Sequence, residues 1–176
     1  MSGNGGRVVR VGTHAVSAGS KTTLWQRLSA HRGTATTGGG NHRGSIFRLH
    51  VGTALQAQSG KNSPTWGMGG SAPSHVRDAE LPFEQRISET LGRFSIVWME
   101  IDDEPGATSL RAFVERNAIA LLSGLNGAIS DTPSEGWLGR FAAHDMVRQS
   151  GLWNVKHVAD AYDPSFLDLL DAHLVP

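Results

Sequence analysis

Acidic side chains are absent from the first 77 residues of this 176-residue chain. All sixteen Asp and Glu lie from Asp78 onward, beside seven Lys and Arg. The first part carries nine cations, Arg7, Arg10, Lys21, Arg27, Arg32, Arg43, Arg48, Lys61 and Arg77, together with five histidines. Net charge is zero, yet the two parts stand near +9 and −9. A chain divided in this way has two options. Its early cations pair with later carboxylates inside the fold, or the early part faces a polyanion. The sequence leaves both open.

Length bounds the rest of the reading. A chain of 176 residues fits one domain of roughly 100–200 residues and can bury a core without disulfides. There are no cysteines, which excludes thiolate nucleophiles, dithiol redox chemistry and zinc–thiolate sites. No apolar run approaches the ~18 residues that span a bilayer. The start, MSGNGGRVVRV, has no apolar stretch of signal-peptide type. The expectation is a soluble cytoplasmic protein with no membrane partner. The 22 glycines imply several loops.

Patterning predicts the elements. Residues 7–12, with Val8, Val9 and Val11, read as a short strand that Gly12 ends. Residues 2–6 ahead of it have the turn chemistry that joins a hairpin. A strand at 7–12 without a partner before it would present an open edge, poorly protected from exchange. Residues 20–32 predict a helix between Ser20 and Gly33, with Leu24, Trp25 and Leu28 as its apolar stripe. A second helix is predicted over 45–58, with Ile46, Phe47, Val51, Ala54 and Leu55 inward. Residues 59–75 read as a Gly/Ser/Pro loop, and 81–91 as a helix with Pro82 near its start. Residues 94–101, FSIVWMEI, are the strongest strand signal. Residues 109–123 carry Leu110, Phe113, Val114, Ala118, Leu121 and Leu122 at helical spacing, with Glu115 bordering that stripe. A terminal helix over 164–174 follows an Asp163 cap. Trp137 and Trp153 read as packing anchors.

Arg27 and His31 are four apart on one predicted helix and share a face. Glu115 lies on a later helix, and Asn126 follows just past its end. The set LWQRLSAH at 24–31, VERNAIALL at 114–122, Asn126, and Arg10-Val11-Gly12 in the position of a second strand motif resembles the GIY-YIG nuclease superfamily, in its restriction-enzyme-like branch. The resemblance spans residues 7–127. It implies an α+β fold in which helices flank a small antiparallel β-sheet. It also implies a first strand upstream of residue 7, so the domain reads as N-terminally incomplete. Under this reading residues 1–127 form the nuclease core, with inserted helices and loop at 34–92, and residues 128–176 form an appended C-terminal helical segment.

The resemblance implies metal-dependent phosphodiester hydrolysis of nucleic acid, DNA in the first instance. Arg27 would bind a phosphate oxygen with a fixed, permanently charged fork. Glu115 would hold one Mg²⁺ or Mn²⁺, hard ions that accept few carboxylates and keep several waters. His31 is a candidate base or phosphate-positioning group, with interaction at a helix C-terminus as its structural alternative. Asn126 would orient the metal or a loop, with helix capping as its alternative. Arg10, Lys21, Arg43 and Arg48 are candidate nucleic-acid contacts, the last two in a basic segment at 41–50 outside the shared core.

Two departures from the family pattern stand out. Arg10 occupies the place of the second motif's usual Tyr, and the sole tyrosine is Tyr162. His14 and Lys21 are candidates to substitute for the missing group. Two functions therefore follow from the sequence: a Mg²⁺-dependent endonuclease, or a non-catalytic nucleic-acid-binding protein derived from one.

Overall fold

A computed structural model describes residues 6–127 and 131–174 of the chain. Its helices are α1 (Leu24–Arg32), α2 (Ile46–Ser59), α3 (Ser74–Leu91), α4 (Leu110–Leu122), α5 (Asp145–Ser150) and α6 (Ser165–Leu174). Short 3-10 turns occur at His42–Gly44, Gly124–Asn126 and Leu138–Phe141. The chain divides into two compact units. One comprises Met1–Thr23, Val97–Trp137 and Met146–Pro176, the other Leu24–Ile96 and Leu138–Asp145. Residues beyond 127 thus contribute to both units.

In the unit built on α1, α2 and α3, α2 starts where the hydroxyl of Ser45 accepts the Arg48 N–H at 3.3 Å. It stops at Gly60, whose φ of 65° is the left-handed cap conformation that glycine adopts without strain. Phe47, Val51, Ala54 and Leu55 are buried as their spacing predicts, while Ile46 is exposed. Each larger side chain so buried contributes roughly 1.5–3 kcal/mol. The loop after α2 folds back through Trp66, whose ring lies 3.7 Å from His42 and 4.8 Å from Phe83 between centroids. Gly52 permits this, since a Cβ there would overlap the Trp66 ring. Helix α3 begins well before the predicted residue 81 and carries Pro82 inside it. That proline removes one i→i−4 hydrogen bond. The buried face of α3 is Glu80, Glu84, Ile87 and Leu91.

The other unit centres on α4. The Ser109 hydroxyl caps it by accepting the Ala112 N–H. Its core joins Ile119 to Leu152 and Val158, with Val11, Leu122 and Met146 packed around them. Helix α6 packs on α4, and Asn117 Oδ1 ties it there by accepting the Asp163 N–H at 2.6 Å. The Asp163 carboxylate in turn accepts the Ser165 N–H at 2.9 Å, the expected cap. Trp153 and Trp137 are buried with rings 5.9 Å apart, so both anchor packing.

The expected antiparallel β-sheet is not formed: there is no β-strand among the described residues. Residues 7–12 find partners of another kind. The Trp153 N–H donates to the Val9 carbonyl at 2.7 Å. The Asn154 side chain then reads Val11 as a second peptide would, accepting its N–H at 3.0 Å and donating to its carbonyl at 2.9 Å. A side-chain amide has one donor and one acceptor facing the same way, so it satisfies the backbone without a ladder. The edge expected to be open is therefore covered. The turn predicted at residues 2–6 lies almost wholly outside the described residues. Residues 94–101 have strand composition but no strand beside them, and β-propensity expresses itself only against neighbours.

Candidate functional site

Helix α4 presents Arg111 and Glu115 one turn apart, and the segment after residue 11 lies against that pair. The Thr13 N–H donates to Glu115 Oε1 at 3.0 Å. Arg111 Nη1 stands 3.3 Å from His14 Nε2. A guanidinium only donates, so in this contact His14 Nε2 is the acceptor. Arg111 is fixed on its other side by Asp103: Nε lies 2.5 Å from Oδ1, an ion pair without hydrogen-bond alignment, and Nη2 donates to the Asp103 carbonyl. The Arg111 N–H also donates to Asp103 Oδ2 at 3.1 Å. Glu115 itself is half-buried and makes no ion pair with a described residue.

The remaining candidates in this unit are placed as follows. Arg10 is half-buried, with Nη1 3.4 Å from the Trp153 carbonyl. Lys21 is exposed. Asn126 closes the 3-10 turn that follows α4, whose own C-cap is Ser123. Its amide donates to the carbonyls of Ala120 at 3.0 Å and Asp160 at 2.8 Å, which joins the helix end to the loop at 158–160. Arg116 pairs with Asp160 at 3.0 Å on the surface. His157 Nδ1, 2.8 Å from the same carboxylate, leads the hydrogen bonds that hold Asp160 below the usual carboxylate range.

Arg27 and His31 share α1 in the other unit. Arg27 is exposed and makes no ion pair with a described residue. His31 is half-buried, its Nδ1 2.7 Å from Ser45 Oγ and its ring edge-on to Phe47. The His31 carbonyl accepts from Arg48 Nη1 at 2.8 Å, so the last turn of α1 is fastened to α2.

Arg43 and Arg48, read from the sequence as phosphate contacts, point inward. Arg48 is fully buried. Its Nε and Nη2 grip Glu84 Oε2 at 2.9 and 2.5 Å, and Nη2 also reaches the Glu84 carbonyl and Ser88 Oγ. Gly40 makes room, since a Cβ there would strike the Arg48 guanidinium. His42 completes the set. Its N–H and Nδ1 both engage Glu84 Oε1, at 2.7 and 2.9 Å, and its Nε2 accepts the Gly67 N–H. Burial pushes the Glu84 carboxyl up, but the bonds from His42 and Arg48 outweigh it and hold the group below its ordinary value. Arg43 makes a two-pronged pair with Glu80, at 2.6 and 3.0 Å, and the Thr65 hydroxyl adds a third bond. The Arg43 bond holds the Glu80 carboxyl down, and Glu80 raises Arg43 in turn. These two arginines are committed to internal carboxylates and are not available to a phosphate. A shallow cleft beside them, lined by Arg77, Asn41, Gly40 and the Arg43–Glu80 pair, is internally neutralised.

Sequence reading missed His42, Glu80 and Glu84. The available signal was the spacing 80, 84, 87, 91, in which two carboxylates continue an apolar helical stripe. Of the two options for the early cations, internal pairing is realised by Arg7 with Asp131, Arg43 with Glu80 and Arg48 with Glu84. Among the described residues no group of three or more His, Asp or Glu gathers as a metal cage. A hard divalent ion that keeps most of its waters needs fewer protein ligands, and a single half-buried carboxylate such as Glu115 fits that donor set.

A family model for the GIY-YIG domain matches residues 1–175. The chain belongs to the GIY-YIG family, whose activity is of nuclease type and whose substrate is nucleic acid. No curated protein and no solved structure matches the chain. Among the described residues no helix is long and apolar enough to cross a membrane.

Proposed function

We propose that the chain is a metal-dependent endonuclease that hydrolyses phosphodiester bonds in DNA in the cytoplasm. The observation that carries this reading is the setting of Glu115. The family's metal-binding helix position is occupied by a half-buried carboxylate that no cation neutralises among the described residues, with the Thr13 N–H orienting one oxygen. Glu115 would hold Mg²⁺ or Mn²⁺ through this carboxylate. Bound there, the ion supplies charge against the phosphate oxygens and lowers the pKa of a coordinated water.

The chain's own groups do the rest. Arg27, exposed on α1, binds a non-bridging oxygen and offsets charge that grows there as water attacks phosphorus and the P–O bond to the leaving oxygen breaks. His31 positions that phosphate or accepts the water proton. For His14 to take the proton instead, its Nε2 must part from Arg111. Asn126 acts through position, holding the end of the Glu115 helix. Arg10 and Lys21 add sequence-independent contacts to the backbone.

Plasmid DNA incubated with Mg²⁺ or Mn²⁺ tests this. Wild type should nick it, and Glu115→Ala should lose at least about 100-fold in rate. Equal nicking by both rejects this site.

A second reading, nucleic-acid binding without cleavage, is favoured by the tyrosine count. Tyr162 is the sole tyrosine, and it packs edge-on to Phe166 at 6.0 Å. Absence of nicking together with salt-dependent binding would select this reading.

A further inference from the structure

We propose that Trp25 is a stacking platform for an unpaired base, so that the DNA taken by α1 carries a single-stranded or turned-out element. This rests on DNA being the ligand of α1 and goes further by naming which form of DNA. The sequence pattern sets Trp25 in the inward stripe of α1 with Leu24 and Leu28, and the structure corrects it. The half-buried line of the helix is Leu24, Leu28 and His31, at spacings of four and three. Trp25 stands beside that line and is 69 % exposed. Among the described residues no ring and no cation rests on it. An indole has one of the largest apolar areas a side chain can bury, and here that area faces outward.

Charge selects the ligand. Trp98 is also open, at 72 %, but exposed Glu100, Asp102 and Glu104 follow it, and a polyanion is repelled there. Around Trp25 the setting is the reverse, since neither α1 nor any residue before Asp78 is acidic. Trp25, Ser29 and Arg32, again at spacings of four and three, share one flank of α1. Arg32 is exposed and pairs with no carboxylate among the described residues. Arg27, exposed as well, lies toward the opposite flank. A flat apolar ring set among permanent cations suits a ligand with apolar faces on an anionic backbone, which is a nucleic-acid strand. In a duplex, neighbouring bases cover both faces of every base. An indole on a helix surface therefore meets a base face only where that base is unpaired or turned out of the stack.

Filter binding in EDTA, which keeps cleavage out of the measurement, tests this with single-stranded oligo(dT) and with a relaxed closed circle as the fully paired form. Trp25→Ala should weaken oligo(dT) binding about fivefold or more and leave the circle unchanged. Trp25→Phe, which keeps a ring, should lose less, and Trp98→Ala should lose nothing. Oligo(dT) should quench indole emission in wild type, and less so in Trp25→Phe. Arg32→Ala should lower the log–log salt slope for oligo(dT) by about 0.7. If Trp25→Ala binds oligo(dT) as wild type does, or weakens on both forms alike, the platform is overturned while DNA stays a ligand. If wild type binds neither form, DNA is removed as the ligand and the platform falls with it.

Discussion

The Thr13 N–H lies 3.0 Å from Oε1 of Glu115, so the segment just past Gly12 orients the carboxylate proposed to hold the metal. Glu115→Gln keeps an oxygen for that N–H and removes the charge. Its melting temperature should stay close to wild type, while Mn²⁺ affinity, read by water-proton relaxation, should fall at least about tenfold. Unchanged Mn²⁺ affinity would remove Glu115 from the metal's ligands.

Arg48 is fully buried against Glu84. Removing one partner of such a pair leaves an uncompensated buried charge, so Arg48→Ala should cost about 3–5 kcal/mol in urea unfolding. Arg48→Lys should recover little of it, since an ammonium cannot reach the Glu84 carboxylate, Ser88 and the His31 carbonyl together. A cost below about 1 kcal/mol would show that the network adds nothing to stability.

Much of the helical framework was legible in the sequence, because α2, α4 and α6 each combine an apolar stripe with a capping Ser or Asp. The inward turn of Arg43 and Arg48 was not. A cation and a carboxylate some forty residues apart reveal nothing of their pairing until α2 and α3 are side by side. The sheet was misread for a related reason: residues 7–12 and 94–101 have strand composition, but a strand exists only with a partner. Residues 7–12 are held instead by Trp153 and Asn154, which no local pattern announces. The helical placement of Arg27 and His31 on α1 and of Glu115 on α4 was legible from apolar spacing. The anchoring of His31 by Ser45 and of Asn126 by helix-end carbonyls was not.

Acid should destabilise the unit built on α1, α2 and α3. Glu84 and Glu80 both titrate below their ordinary value of 4.5 in the fold. Their contribution is therefore present in full above that value. It is lost as pH falls from about 4.5 through their depressed folded values. Melting temperature measured against pH should drop in that window, and Glu84→Gln should flatten the drop from a lower starting point. An unchanged slope in Glu84→Gln would show that this carboxylate does not carry the acid response.

Binding to duplex DNA should weaken with salt, and Arg27→Ala and Lys21→Ala should each reduce the log–log slope by about 0.9. Arg7, inside its own unit against Asp131 and over the Trp137 ring, should contribute nothing to that slope. A slope unaffected by Arg27 and Lys21 would place the nucleic acid on another surface.

That Glu115 carries cleavage is the central claim, and DNA nicking in Mn²⁺ by wild type and Glu115→Ala tests it most directly. Wild type should nick, and Glu115→Ala should be slower by at least about 100-fold at every Mn²⁺ concentration. A nicking rate that Glu115→Ala leaves unchanged would contradict it.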